Sequence, residues 1–214
     1  MLEWLSNNSN WITPATSIGT LLVWIFYAQL LYNGYSRQTR PRLLINRGVS
    51  DEGLDSPCLI CNMSREAIYI YFILVFLENS KKSVLVPVTD CEEGAIGDSS
   101  SSIASRTRQG PLESGKFLEL LSFRIILERA ASRAGIELKE GVPVDPNVEI
   151  SALEFHVVCI YGSDDKPFGA VRRFNLKTND AGTPLLEPDT IDTRRKTSWR
   201  YKRRIRQWLK AHGQ

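Results

Sequence analysis

The strongest hydrophobic pattern is an uninterrupted apolar block near the N-terminus. Between Glu3 and Arg37 no charged side chain occurs, and Ile18 to Tyr32 is almost wholly apolar. About 20 apolar residues cross a bilayer core as a helix. The nine large residues Ile18, Leu21, Leu22, Val23, Trp24, Ile25, Phe26, Leu30 and Leu31 therefore predict a transmembrane helix over 14–36. Their aliphatic and Phe members favour insertion by about 2–5 kcal/mol in sum. Thr13-Pro14 suits an N-cap with proline at the first helical position. Trp4, Trp11, Tyr32 and Tyr35 bracket the span as interfacial aromatics.

Beyond the span the period changes. Arg42–Asn46, Cys58–Asn62, Ala67–Leu77 and Ser83–Val88 are short runs rich in β-branched, aliphatic and aromatic residues, separated by Gly/Pro/Asp/Ser clusters. These are strand signals. The 67–77 run is apolar on both faces, as in a central sandwich strand; Glu66 and Glu78 flank only eleven residues, too few for a second span. Residues 91–110, with Ser99–Ser102, lack the apolar content to build a core and predict a mobile loop. Phe117–Ala134 reads as a strand passing into a helix that ends near Gly135. Ile150–Tyr161 and Phe168–Leu176, joined by a polar loop, predict a β-hairpin. Several short strands with turn residues between them predict a mainly β domain over 37–176, an immunoglobulin-like β-sandwich with one inserted helix.

Residues 177–190 read as a linker. After it Tyr201, Ile205, Trp208 and Leu209 recur at helical spacing among basic residues, predicting a basic amphipathic helix within 191–214.

Charge sharpens this division. The chain carries a formal net charge of +3, but nine Lys or Arg against Asp192 alone lie beyond Ile191, leaving a mildly acidic body and a strongly basic tail. No Lys or Arg precedes the apolar block, whereas Arg37, Arg40, Arg42 and Arg47 follow it. The positive-inside rule then places residues 1–13 outside and the main domain in the cytoplasm of a cell inner membrane. The first residues lack the basic start and small-residue cleavage site of a secretory signal. The sequon Asn62-Met63-Ser64 matters only for the inverted topology.

Candidate chemistry is sparse. Gly110 to Lys116 approaches the phosphate-loop pattern, yet Phe117 replaces the magnesium-binding hydroxyl and Glu113 adds negative charge; a glycine turn is the simpler reading. Cys58-Leu-Ile-Cys61 and His156-Val-Val-Cys159 have zinc-like spacing but lie in strand-like sequence, where residues i and i+3 diverge. Cys58, Cys61, Cys91 and Cys159 read as buried free thiols. With only His156 and His212 in the chain, histidine-based catalysis has little to draw on. No enzyme, cofactor or metal is implied.

The blocks Arg40–Ile45, Cys58–Ile70 and Gly110–Gly115, following a single N-terminal span, resemble bacterial single-pass membrane-anchored proteins of unassigned function with a cytosolic immunoglobulin-like domain. The resemblance covers about residues 20–176. It implies a bacterial inner-membrane architecture and transfers no catalytic residue.

The expected function is a membrane-anchored interaction or scaffolding module. Its tail residues Arg194, Arg195, Lys196, Trp199, Tyr201, Lys202, Arg203, Arg204, Ile205, Arg206, Trp208 and Lys210 would bind anionic lipid or a protein partner, or dock on the acidic body of the chain itself. The alternatives are a membrane-tethered enzyme or nucleotide-binding regulator using Lys116, and a membrane-bound nucleic-acid-binding protein.

Overall fold

The computed structural model describes residues 9–38, 40–48, 53–80, 83–88, 107–162, 166–179 and 183–212; Cys91 and most of the expected serine-rich loop lie outside them. The chain divides into two units, Met1–Arg40 and Pro41–Gln214.

The first unit is one helix, α1 (Ser9–Gln38), long and apolar enough to cross a membrane. Every residue from Thr13 to Tyr35 is exposed. Three of its hydroxyls are nonetheless satisfied within the helix. Thr16 Oγ1 and Ser17 Oγ each donate to the Thr13 carbonyl at 2.9 Å, and Thr20 Oγ1 donates to Thr16 at 2.8 Å, so none requires water. The helix starts earlier than the Thr13-Pro14 signal predicts. Pro14 lies inside it, near enough to the start that its missing N–H removes only one early hydrogen bond.

The second unit is mainly β, built of antiparallel sheets. One three-stranded sheet has the order β1 (Leu43–Arg47), β2 (Pro57–Asn62), β6 (Phe117–Ser122). The larger sheet is centred on three long strands, β3 (Ile68–Asn79), β9 (Ile150–Tyr161) and β10 (Phe168–Thr178), with β9 in the middle. Each flank of this centre is shared by two short strands. β4 (Ser83–Pro87) and β5 (Gly110–Leu112) divide the edge of β3, while β11 (Pro184–Pro188) and β12 (Arg194–Lys196) divide that of β10. A small hairpin, β7 (Leu138–Lys139) and β8 (Val142–Pro143), turns through Glu140 (φ 54°) and Gly141 (φ 84°), the two positive φ values of a type I′ turn.

The switch from strand to helix at Ser122 has a local cause. Ser122 accepts the Ile125 amide as N-cap of α2 (Phe123–Ala134), and Gly135 (φ 71°) closes its C-terminus while the Ile136 amide returns to Ala131 at 2.8 Å. The apolar face of α2 and both sheets share one core, at whose centre Phe123, Phe155 and Phe174 stack edge to face at 4.9–5.6 Å.

Asn62, at the end of β2, ties the smaller sheet to β5 of the larger one from a fully buried position. Its Nδ2 donates to Leu112 and Glu66 carbonyls at 2.8 and 2.9 Å, and its Oδ1 accepts the Ser64 amide. The sequon nitrogen is thus inaccessible in the folded domain. The near phosphate loop is a strand–turn–strand, with Gly115 (φ 73°) at the turn and β6 following; no helix presents amides there, as a phosphate loop requires.

Two expectations about the C-terminal part need correction. Residues 177–190, read as a linker, continue β10 to Thr178 and form β11, where Leu186 is buried and Pro184 and Pro188 bracket an edge position. Arg194, Arg195 and Lys196, read with the helix, form β12; the helix, α3 (Trp199–His212), begins only after Ser198, whose Oγ accepts the Tyr201 amide at 3.3 Å.

Candidate functional site

A β-bulge sets which residues of β3 face each side. Register shifts between Ile70 and Phe72, so Ile68 and Ile70 face the core before the shift and Ile73, Val75 and Leu77 after it. Phe72, Leu74 and Phe76 then point to the outer face, beside Glu154, His156 and Val158 of β9 and Gly169, Val171 and Arg173 of β10. That face is covered by α3.

Tyr201 and Ile205 of α3 are buried against Val158 and Val171, with Phe72, Trp208 and Leu209 packed around them. The approach is close at Gly169: a Cβ built there would lie 2.2 Å from Tyr201 Cε1 and 2.3 Å from its Oη. Glycine is what admits the ring. Phe76, His156, Tyr201 and Trp208 form one aromatic cluster, with centroids 4.7–5.9 Å apart.

His156, 4% exposed, fixes the cluster's polar centre. Its Nε2 lies 2.5 Å from Glu154 Oε1 and its Nδ1 3.0 Å from Tyr201 Oη. An ionised carboxylate only accepts, so Nε2 carries the proton; in the neutral ring Nδ1 then accepts the Tyr201 O–H. The hydrogen bond from His156 holds the Glu154 carboxyl below its ordinary value, and burial pushes the Tyr201 phenol up.

Docking splits the charge of α3 between two surfaces. At 100° per residue, burial of Tyr201 and Ile205 turns Arg203, Arg206 and Lys210 outward together with the exposed Trp199, over which Arg203 lies at 5.9 Å. Arg200 and Arg204 fall on one flank, where they border a cleft of about 270 Å³. Its other basic members are Arg172, Arg173, Arg194 and Lys196; its acids are Glu154 and Asp189. The register that pairs Val171 with Arg194 and Gly169 with Lys196 brings the β10 and β12 cations together. A second depression, of about 480 Å³ between the end of α2 and β4, is lined by Val84, Ile136, Val144 and Val148 with few charges.

The cations of the cleft differ in their commitments. Arg173 pairs with Glu78 at 2.6 Å, and Arg194 lies 3.7 Å from Asp189. Arg172 is 4% exposed and donates to the carbonyls of Ile45, Thr190 and Ile191, while its Nε makes no hydrogen bond among the described residues. Burial lowers its pKa. Lys196, Arg200 and Arg204 enter no salt bridge among the described residues.

The residues expected to bind lipid or a partner are therefore sorted. Tyr201 and Ile205 serve docking and are not free to bind; Trp208 is half-buried in the same cluster. Arg195 lies over the Phe168 ring at 5.5 Å, and Lys202 is half-buried. Of the arginines expected to set topology, Arg40 is exposed, Arg42 pairs with Asp192 at 3.2 Å, and Arg47 donates to the Leu186 carbonyl; the side chain of Arg37 lies outside the described residues. The sequence reading missed Arg172, Arg173 and Arg200, and read His156 as an ordinary strand residue. The two-faced apolar run in β3 was the available signal, since it demands a cover on its outer side.

Cys58 and Cys61 occupy opposite faces of β2, Cys58 buried and Cys61 half-buried. Burial raises the thiol pKa of Cys58, Cys61 and Cys159. No cluster of three or more potential metal ligands occurs among the described residues. In comparisons with known proteins, the chain matches no protein family, no curated protein and no solved structure.

Proposed function

We propose that the protein is a single-pass, membrane-anchored interaction module. Its β domain, read as an immunoglobulin-like sandwich, is held at the cytoplasmic face of a bacterial inner membrane and engages the anionic membrane surface. The observation that carries this reading is the outward stripe of α3. Trp199, Arg203, Arg206 and Lys210 are exposed together on a helix that the domain fixes in place. Each cation near an anionic bilayer contributes up to about 1 kcal/mol, and tryptophan suits the interface. Further support comes from α1, which supplies the anchor, and from the arginines that follow it without a basic residue before. The free thiols Cys58, Cys61 and Cys159 suit a reducing compartment. The sandwich reading rests on two antiparallel sheets sharing one core.

Deleting residues 191–214 would be a poor test, because it also strips β12 and uncovers Val158 and Val171. The better test keeps α3 and reverses its stripe, with Arg203→Glu/Arg206→Glu/Lys210→Glu. Full-length protein in nanodiscs of anionic lipid is expected to show slower amide exchange over 199–212 than in zwitterionic nanodiscs. The triple variant should lose that difference. Equal exchange of the native protein in both lipids would sink the reading.

A further inference from the structure

We infer that the cleft between β10, β12 and the start of α3 is a binding site for a phosphate monoester. It is separate from the outward stripe and does not depend on its reading.

Charge comes first. Six basic residues, five on the outer side and Arg172 beneath, line the cleft with two acidic ones, in a body whose residues 1–190 carry more acids than bases. Such a concentration of like charge is costly to hold together without a counter-ion. The two carboxylates offset only part of it: Glu154 acts on Arg173 and Lys196 through space, and Asp189 lies 3.7 Å from Arg194. Arg200 and Arg204 enter no salt bridge among the described residues.

The second observation is Arg172. It is a guanidinium buried with no carboxylate in a salt bridge to it among the described residues; backbone carbonyls fix its position, and its Nε lacks a hydrogen bond. Alternation along β10 turns its guanidinium to the core side, over the Phe174 ring, so it adds positive field beneath the cleft rather than a donor to the ligand. The fixed donor forks of Arg200 and Arg204, in the cleft wall, suit phosphate oxygens. The start of α3 adds the positive end of its helix dipole, with Ser198 in the cleft wall.

Size and charge narrow the ligand. At about 270 Å³ the cleft falls just below the usual range for ligand pockets, which suits a single phosphorylated group rather than a dinucleotide. Several convergent cations favour the dianion of a monoester over the single charge of a diester. Both a soluble sugar or polyol phosphate and a lipid with a terminal phosphate carry this chemistry.

Full-length protein in zwitterionic nanodiscs should bind glycerol 3-phosphate saturably in calorimetric titration if the source is soluble. If the source is lipid, nanodiscs containing phosphatidic acid should slow amide exchange over 194–204 more than phosphatidylglycerol nanodiscs of matched surface charge. In either arm Arg200→Gln/Arg204→Gln, at exposed positions, should weaken the response about 100-fold. Lys116→Gln/Lys139→Gln, which removes two exposed cations elsewhere, should leave it unchanged. An unaltered melting curve for the first variant establishes that its loss is local. No response in either arm, or a response that survives Arg200→Gln/Arg204→Gln, overturns the inference.

Discussion

Glu154 and His156 stand two residues apart on the outer face of β9, and the bond between them makes folding sensitive to acid. The carboxyl of Glu154 titrates lower in the folded chain than its ordinary value. Its contribution to stability is therefore complete above the unfolded carboxylate range and is lost as pH falls through the folded value. Urea unfolding followed from about pH 7 to about pH 3 should show a shallower acid loss in Glu154→Gln than in the native protein. A residual slope should persist, because Asp55, bound by Arg124 through two hydrogen bonds, is also held low. The thiols give a second residue-level contrast. Cys58 and Cys159 are buried, whereas Cys61 is half-buried, and alkylation requires an accessible thiolate. Mass spectrometry after brief iodoacetamide treatment of native protein should find Cys61 modified well before Cys58 or Cys159, with the three equalised in denaturant. Equal native rates would contradict the packing of β2 and β9.

Among the elements, α3 depends most on a residue outside itself. Placing a methyl at Gly169 drives Tyr201 out of its seat and with it the hydrogen bond to His156. Gly169→Ala should therefore weaken docking of α3 by about 1–3 kcal/mol, read as faster amide exchange over 199–212 with the β3–β9–β10 centre still protected. Uniform slow exchange in both segments would refute the close approach. The helix itself was legible in advance, since Tyr201, Ile205, Trp208 and Leu209 announce its apolar stripe. Its seat was not. Periodicity locates a face that must be covered, but which element covers it depends on contacts between residues far apart in sequence. Ser122 and Gly135 show the opposite case, where both ends of α2 are written in local chemistry and could be read from neighbouring residues. β11 was missed because Pro184 and Pro188 look like linker residues until an edge position removes the need for their amides.

For the whole molecule, α1 is a segment whose apolar residues, from Ile18 to Leu31, are exposed throughout. Replacing Leu22 and Ile25 by arginine adds about 2.5–3.5 kcal/mol per residue to insertion at a helix centre. The double variant should pass from the membrane pellet to the supernatant after carbonate extraction, where the native chain is retained. Retention of the variant would argue against α1 as the anchor. The basic cleft belongs to this scale too. Arg172 and Arg173 stand on one strand and Arg194 and Lys196 on another, and only the antiparallel register of β10 with β12 joins them. Net charge by segment revealed a basic tail, but could not reveal that part of it turns back to meet arginines of the acidic body.

The order in which the outer face and its cover are synthesised has a consequence for biogenesis. Phe72, Leu74, Phe76 and Val158 leave the ribosome before α3 does, so the centre of the sheet emerges while one of its sides is still bare and adhesive. A nascent chain at this stage presents a target for holdase chaperones. A messenger cut short after β12, or a protease acting at Thr197-Ser198, would leave that state permanent and mark the product for degradation.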